Sequence, residues 1–232
     1  MEKKHLIWRT GMYFFGLCLS ATGLTFSTIA ALGISTITSI PYSIAGAFDL
    51  NFPTIMFVVN VLIFIIQAVI KHRFGIWQKR DWFQIPCVWI VTSLLNVFEK
   101  VIVFQVEPFW GRVLLMMAAI AIMGVGASMT VNMNYAPVPS DGIVYAISLA
   151  TGRSLGATKN LVDAFCIMVT AAIDWFGTGR ITSVGLGTVL CMIFMGRAIA
   201  VFEHFCKDKI LELSGQKPVS SGKPLRKAAA HS

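Results

Sequence analysis

Charged residues are scarce in this sequence. Only 13% of its 232 residues are Asp, Glu, Lys or Arg, whereas 56% are hydrophobic. Soluble domains contain about 25% charged residues, so the shortage of charge excludes an ordinary soluble domain. Several apolar runs come close to the ~20 residues that cross a bilayer core, and they predict a multi-pass membrane protein.

Patterns typical of enzymes and metal sites are also missing. The five cysteines form no CxxC pair, and the four histidines show no metal-ligand spacing. The chain lacks the P-loop and HExxH sequences. We therefore predict no enzyme activity, no cofactor and no metal ion. The net charge of +8 lies between the apolar runs and in the C-terminal tail, which predicts no nucleic-acid partner.

Six apolar stretches predict an all-α membrane domain over residues 1–203. The predicted spans are 10–31, 53–70, 83–103, 112–132, 158–176 and 183–203. Most Lys and Arg residues lie in the segments on one side of these spans, so the positive-inside rule predicts cytoplasmic N- and C-termini. Residues 204–232, rich in Ser, Gly, Pro and Lys, are predicted to be a basic, disordered cytoplasmic tail.

The sequence aligns with itself at an offset of 103 residues. The offset pairs Arg9 with Arg112, Gly23 with Gly126, Tyr42 with Tyr145, and Asn60 with Asp163. Each half, about 9–103 and 112–203, contains three spans, so the second half is predicted to run oppositely through the membrane. Such inverted-topology repeats are common in secondary transporters. The glycine-containing stretches GLCLSATG (16–23) and GVGAS (124–128) are predicted to pack the first and fourth spans closely.

Two short stretches occupy equivalent places in the halves. They are ISTITSIPYSIA (34–45) and PVPSDGIVYAIS (137–148), and each begins with small or turn-forming residues before an apolar, helically spaced run. We predict two short half-helices, either re-entrant or interfacial. Non-helical backbone is tolerated at membrane depth only where protein buries it or water reaches it. The alternative is a pair of amphipathic connectors lying on the bilayer surface.

These stretches also carry a family resemblance. ALGISTITSIPYSIA, NVLIF, PSDGIVYAISLATGRSLGATKNLVDAF and GLGTVL resemble the YczE/YitT group of bacterial membrane proteins, and more closely its YczE-like branch. The resemblance covers roughly residues 9–203. It implies a multi-pass plasma-membrane protein with a transport role, and it implies no settled substrate and no catalytic residues.

Polar and turn-forming residues in the two half-helices and in two spans are the candidate site. They are Ser35, Thr36, Thr38, Ser39, Asn60, Pro139, Ser140, Asp141, Gly142, Asn160 and Asp163. Asp163 is central because ionisable groups inside spans are rare and costly. It is predicted to bind a proton or cation, with Lys159 or Arg197 as charge partner. The alternatives are a static ion pair for Asp163 and a helix N-cap role for Asp141.

These features predict a secondary transporter that moves a small polar or charged solute by alternating access, coupled to a proton or cation. The alternative is a membrane scaffold or regulatory protein that does not transport and acts through its loops and basic tail. Membrane lipid is a predicted partner in both cases, and either protein could form a homo-oligomer.

Overall fold

The computed structural model describes residues 3–133, 135 and 138–213. Within these residues the chain forms eight α-helices and one short 3₁₀ helix. The α-helices are α1 (Lys3–Ala30), α2 (Thr36–Phe48), α3 (Phe52–Arg73), α4 (Gln84–Val101), α5 (Phe109–Asn132), α6 (Pro139–Thr151), α7 (Leu155–Thr178) and α8 (Leu186–Leu213), and the 3₁₀ helix is Lys79–Phe83. The side chains of Lys3, Lys4, Arg80, Asp141, Leu155, Gly156 and 207–213 are not described.

Six of these helices are long and apolar enough to cross a membrane. The stretches are His5–Ala30, Phe52–Arg73, Asp81–Val101, Phe109–Asn132, Ala157–Thr178 and Leu186–Cys206, and each overlaps one of the six predicted spans. The predictions of an all-α fold and of six candidate spans are therefore confirmed for the described residues, and these helices are compatible with a multi-pass membrane protein. The last helix, α8, runs on to Leu213, into the segment that was predicted to be disordered from residue 204. Residues 214–232 lie outside the described residues.

The helices follow one another in the order long, short, long, long, and this order occurs twice. The short helix α6 begins and ends 103 residues after α2, and α7 begins 103 residues after α3. Local sequence explains the bounds of the short helices. Pro139 occupies the first turn of α6, where its missing N–H costs nothing. Gly152 (φ +68°) ends α6 in the left-handed conformation that stops a helix.

The centre of the bundle is the antiparallel pair α1 and α5. A Cβ atom on Gly126 would lie 2.6 Å from the carbonyl oxygen of Gly16, and one on Gly23 would lie 2.8 Å from that of Ala119. Side chains at these positions would push the two backbones apart. The close packing predicted for the first and fourth spans is therefore present, and it depends on glycine.

Two arginines fasten the ends of this central pair. Arg9, near the start of α1, donates from Nε to the carbonyl oxygen of Met133 at 2.7 Å. Arg112, near the start of α5, donates from Nε to that of Ala30 at 2.7 Å. Each guanidinium thus satisfies a carbonyl at the C-terminal end of the opposite helix. The end where α1 stops and α5 starts is called the predicted outer end below, after the positive-inside rule.

The other helices pack around α1 and α5 in matched positions. In the described part of the chain, α4 packs on α1 and α8 on α5, while α2 packs on α7 and α3 on α6. Each short helix therefore lies against a long helix of the other half.

Candidate functional site

A row of buried polar contacts joins the short helix α2 to α7. Thr36 donates from Oγ1 to Oδ1 of Asp163 at 2.6 Å, and the hydroxyls of Ser39 and Thr170 lie 2.8 Å apart. Further along, Ser43 donates from Oγ to Oδ1 of Asp174. We call these three pairs the α2–α7 seam: Thr36–Asp163, Ser39–Thr170 and Ser43–Asp174. All six residues are buried, so the seam satisfies polar groups that no bulk solvent reaches.

Asp163 has two partners at one oxygen. Besides Thr36, Lys159 donates from Nζ to Oδ1 at 2.7 Å, one helical turn earlier on α7. The Asp163 side chain is 6% exposed and that of Lys159 is 42% exposed, so the pair connects a buried carboxylate to a half-open lysine. Of the two predicted charge partners, the structure pairs Lys159 with Asp163. Arg197 is exposed on α8, with its guanidinium 5.5 Å from the ring centre of Phe194.

The seam places the start of α2 well inside the bundle. Asp163 precedes the end of α7 at Thr178 by 15 residues, which is about 22 Å along a helix axis. The chain reaches this depth through the non-helical segment 31–35. Gly33 (φ +93°) is required there, because a Cβ atom would lie 2.6 Å from the backbone nitrogen of Gly185. The oxygen of Leu32 also accepts a hydrogen bond from Gly187 N at 2.6 Å.

The first turns of α2 and α6 meet at a small central cavity of about 40 Å³. Its polar lining includes three predicted site residues, Thr38 from α2, Asn60 from α3 and Ser140 from α6. The volume is enough for one or two water molecules. Thr38 in the first turn of α2, and Val138 and Ser140 at the start of α6, line this cavity. Two short helices that are far apart in sequence therefore line the same cavity.

The remaining predicted residues lie at the starts of α2 and α6, except for Asn160 on α7. Ser35 occupies the N-cap position of α2, although its side chain makes no capping bond. Pro139 and Gly142 are buried in the first turn of α6, and the side chain of Asp141 lies outside the described residues. Asn160 is exposed on α7, so it does not join Asp163 in the seam.

A buried glutamine lies on α3 beside the first turn of α6. Gln67 has no exposed surface, and neither its amide oxygen nor its amide nitrogen has a hydrogen-bond partner among the described residues. A Cβ atom on Gly142 would lie 2.3 Å from Oε1 of Gln67, so only glycine leaves room for this amide. At the offset of 103, Gln67 and Gly142 correspond to Thr170 and Ser39, which hydrogen-bond to each other.

Family comparison adds an independent observation. A family model described as a family of unknown function, DUF6198, matches residues 7–204. The chain belongs to the DUF6198 family. No curated protein and no solved structure matches the chain. The DUF6198 match covers all eight helices apart from the ends of α1 and α8, and assignment to the YczE-like branch stays a prediction.

Near the predicted outer end, this DUF6198 chain contains a larger cavity that sequence reasoning missed. It has a volume of about 440 Å³ and lies between the end of α1, the second half of α2, the end of α7 and the loop before α8. Its lining includes Ser27, Tyr42, Asp49, Phe52, Asp174 and Ser183.

Asp174 ties this cavity to the loop before α8. Its Oδ2 accepts from the backbone nitrogens of Thr182 and Ser183, both at 2.7 Å, and its Oδ1 accepts from Ser183 Oγ at 2.9 Å. The residue 103 positions earlier, Lys71, fixes the equivalent connection in the first half, since its Nζ lies 2.8 Å from Oδ1 of Asp81 in the 3₁₀ helix. In the sequence, Asp174 is recognisable only as a carboxylate near the end of a predicted span.

Proposed function

We propose that the protein is a secondary transporter that moves a small polar or charged solute across the bacterial plasma membrane by alternating access. The observation that carries the proposal is the meeting of the first turns of α2 and α6 at one central cavity, whose largely apolar wall contains the polar side chains of Thr38, Asn60 and Ser140. Broken or short helices whose N-termini converge near the middle of the bilayer form solute and ion sites in transporters.

The repeated order of the helices supports this proposal. Two four-helix units with the same order of lengths follow each other at the offset of 103. Arg9 and Arg112, which the offset pairs, cap Met133 and Ala30, which it also pairs. Because each unit contains three long helices, the second unit runs oppositely through the bilayer if the first begins in the cytoplasm. Two such units can open one central site to either side.

The depth of α2 supports a re-entrant rather than a surface position. Its first residue, Thr36, bonds to Asp163 inside the span Ala157–Thr178. The non-helical segment before it packs on Gly185 and Gly187, so protein rather than lipid surrounds its backbone. In this arrangement α2 enters from the outer side and α6 from the cytoplasmic side.

Asp163 is the proposed coupling residue. Its carboxylate lies at the N-terminus of α2, where a negative charge stabilises the helix dipole, and it binds Thr36 and Lys159 through the same oxygen. Protonation or cation binding at Asp163 weakens both contacts and loosens α2 from α7. No equivalent charge holds α6, since the repeat mate of Asp163 is the neutral Asn60. Coupling is therefore proposed to act through the α2 side alone.

Cysteine accessibility tests the proposal without knowledge of the solute. Cysteine is introduced at Thr38 or Ser140, both of which line the central cavity, in a full-length background from which the five native cysteines have been removed. The matched control is Leu62→Cys, on the exposed apolar face of α3. We expect a small charged thiol reagent to modify positions 38 and 140 in intact membranes and to leave position 62 unmodified, because only the cavity is wet.

The side of the membrane from which positions 38 and 140 react distinguishes the transporter from the scaffold. Reaction of 38 and 140 with reagent added from either side supports a site open alternately to both. Protection of both positions under all conditions, in a protein that is folded and inserted, would contradict the transporter and favour the scaffold. Equal reaction at position 62 would show that the apolar face of α3 is hydrated and that the assignment of the cavity is wrong.

A further inference from the structure

The buried aspartates differ in how their charge is balanced. Three aspartates are buried among the described side chains: Asp81, Asp163 and Asp174. Asp81 pairs with Lys71 at 2.8 Å and Asp163 with Lys159 at 2.7 Å. Asp174 is only 1% exposed, yet no ion pair joins it to any cationic side chain in the described part of the chain. A buried carboxylate without a countercharge is costly. A cation from outside the described side chains would therefore stabilise Asp174.

Neutral donors hold Asp174 in place without neutralising it. The hydroxyls of Ser43 and Ser183 and the backbone N–H groups of Thr182 and Ser183 all point at its two oxygens. These hydrogen bonds stabilise the ionised form. The full negative charge therefore remains next to the outer cavity, whose wall includes Asp174.

The rest of the cavity wall suits a cation with an apolar body. Asp49, exposed at the end of α2, contributes a second carboxylate. The rings of Tyr42 and Phe52 form an edge-to-face pair, 5.2 Å between centres, and both line the cavity. Among the residues that the structure describes, no Lys, Arg or His lines this wall. Arg112, which is not among the lining residues, donates to the carbonyl oxygens of Ala30 and Ala31.

We propose that this outer cavity binds an organic ammonium cation. Asp174 and Asp49 supply the negative potential, and the aromatic rings supply the cation–π surface that alkylated ammonium groups prefer. The volume of about 440 Å³ falls in the range of small-molecule sites, roughly 300–1,000 Å³, and is far larger than a bare metal ion needs. The site is separate from the central cavity, and the proposal does not depend on transport.

Direct binding to the full-length protein in nanodiscs tests the proposal. Choline is the probe, and its uncharged isostere 3,3-dimethyl-1-butanol is the control ligand, both measured by titration calorimetry at constant ionic strength. We expect saturable binding of choline, at least about tenfold weaker binding of the isostere, and no displacement of choline by equimolar sodium. Failure of choline to bind to folded protein, equal binding of the isostere, or equal competition by sodium would overturn the proposal.

Two variants locate the site. Asp49→Asn removes a carboxylate from the cavity wall without touching the loop that Asp174 holds, and we expect it to weaken choline binding on the order of tenfold. Tyr42→Leu removes one ring, and we expect a loss of several-fold. Glu107→Gln is the matched control, because Glu107 is an exposed carboxylate in the loop before α5 and does not line the cavity. Asp49→Asn and Tyr42→Leu proteins that bind like the wild type, or an equal loss in Glu107→Gln, would refute the location.

Discussion

Close contact between α1 and α5 leads to a quantitative prediction for Gly126→Ala. A Cβ atom at Gly126 would lie 2.6 Å from Gly16 O, 2.6 Å from Ser20 Oγ and 2.8 Å from Ser20 N. Two of these three atoms are backbone, so the helices must separate by most of an ångström to restore an ordinary contact of about 3.5 Å. Overpacking of this kind costs about 1–3 kcal/mol, and the better helix propensity of alanine returns about 1 kcal/mol at most.

The matched control is Gly196→Ala on α8, where a Cβ atom would meet nothing within 4 Å. It gains the same helix propensity without the clash. We expect Gly126→Ala to lower the free energy of unfolding by about 1–2 kcal/mol and Gly196→Ala to leave it unchanged or raise it slightly. Reversible unfolding in mixed detergent micelles, followed by circular dichroism, measures both. Equal stability of the two variants would refute the close approach of α1 and α5.

Two further predictions concern polar groups inside the bundle. Asp163→Asn keeps an oxygen that accepts from Thr36 but loses the charge that attracts Lys159. Because that lysine is 42% exposed, we expect the free energy of unfolding to change by no more than about 1 kcal/mol. In the same variant, the reactivity of a cysteine at position 38 should no longer respond to an imposed pH gradient, and an unaltered response would exclude Asp163 as the coupling residue. Gln67→Leu removes a buried amide without partners among the described residues, so we expect it to stabilise the protein by about 1–3 kcal/mol in thermal unfolding. A destabilised Gln67→Leu protein would instead show that water or a ligand satisfies the amide.

Much of the helix layout could be predicted because it follows from local sequence. Apolar runs marked the six long helices, and the offset of 103 singled out the two short ones. Their predicted stretches, 34–45 and 137–148, lie two or three residues before α2 and α6 at each end. The helix spacing of four residues between Lys159 and Asp163 also predicted an ion pair that the structure contains.

The contacts between distant elements could not be predicted in the same way. Arg197 was predicted as a charge partner of Asp163 and Asn160 as a residue of the same site, yet both are exposed. The face that each helix turns to its neighbours depends on the whole bundle. Asp174 was overlooked because its partners Ser43 and Ser183 lie on another helix and in a loop. A carboxylate near a span end is usually solvated, and nothing in its own neighbourhood indicated burial.

The reciprocal arginine caps have a consequence for the order in which the protein can mature. Ala30 and Ala31, at the end of the first helix to be synthesised, receive their donor only when Arg112 emerges. The hydrogen bond from Arg9 to the carbonyl oxygen of Met133 can form only after the far end of α5 has been synthesised. The first four helices therefore leave the ribosome before the side chain that binds the carbonyl groups of Ala30 and Ala31 has been made. We therefore expect the first half alone to be less stable in the bilayer than the whole chain.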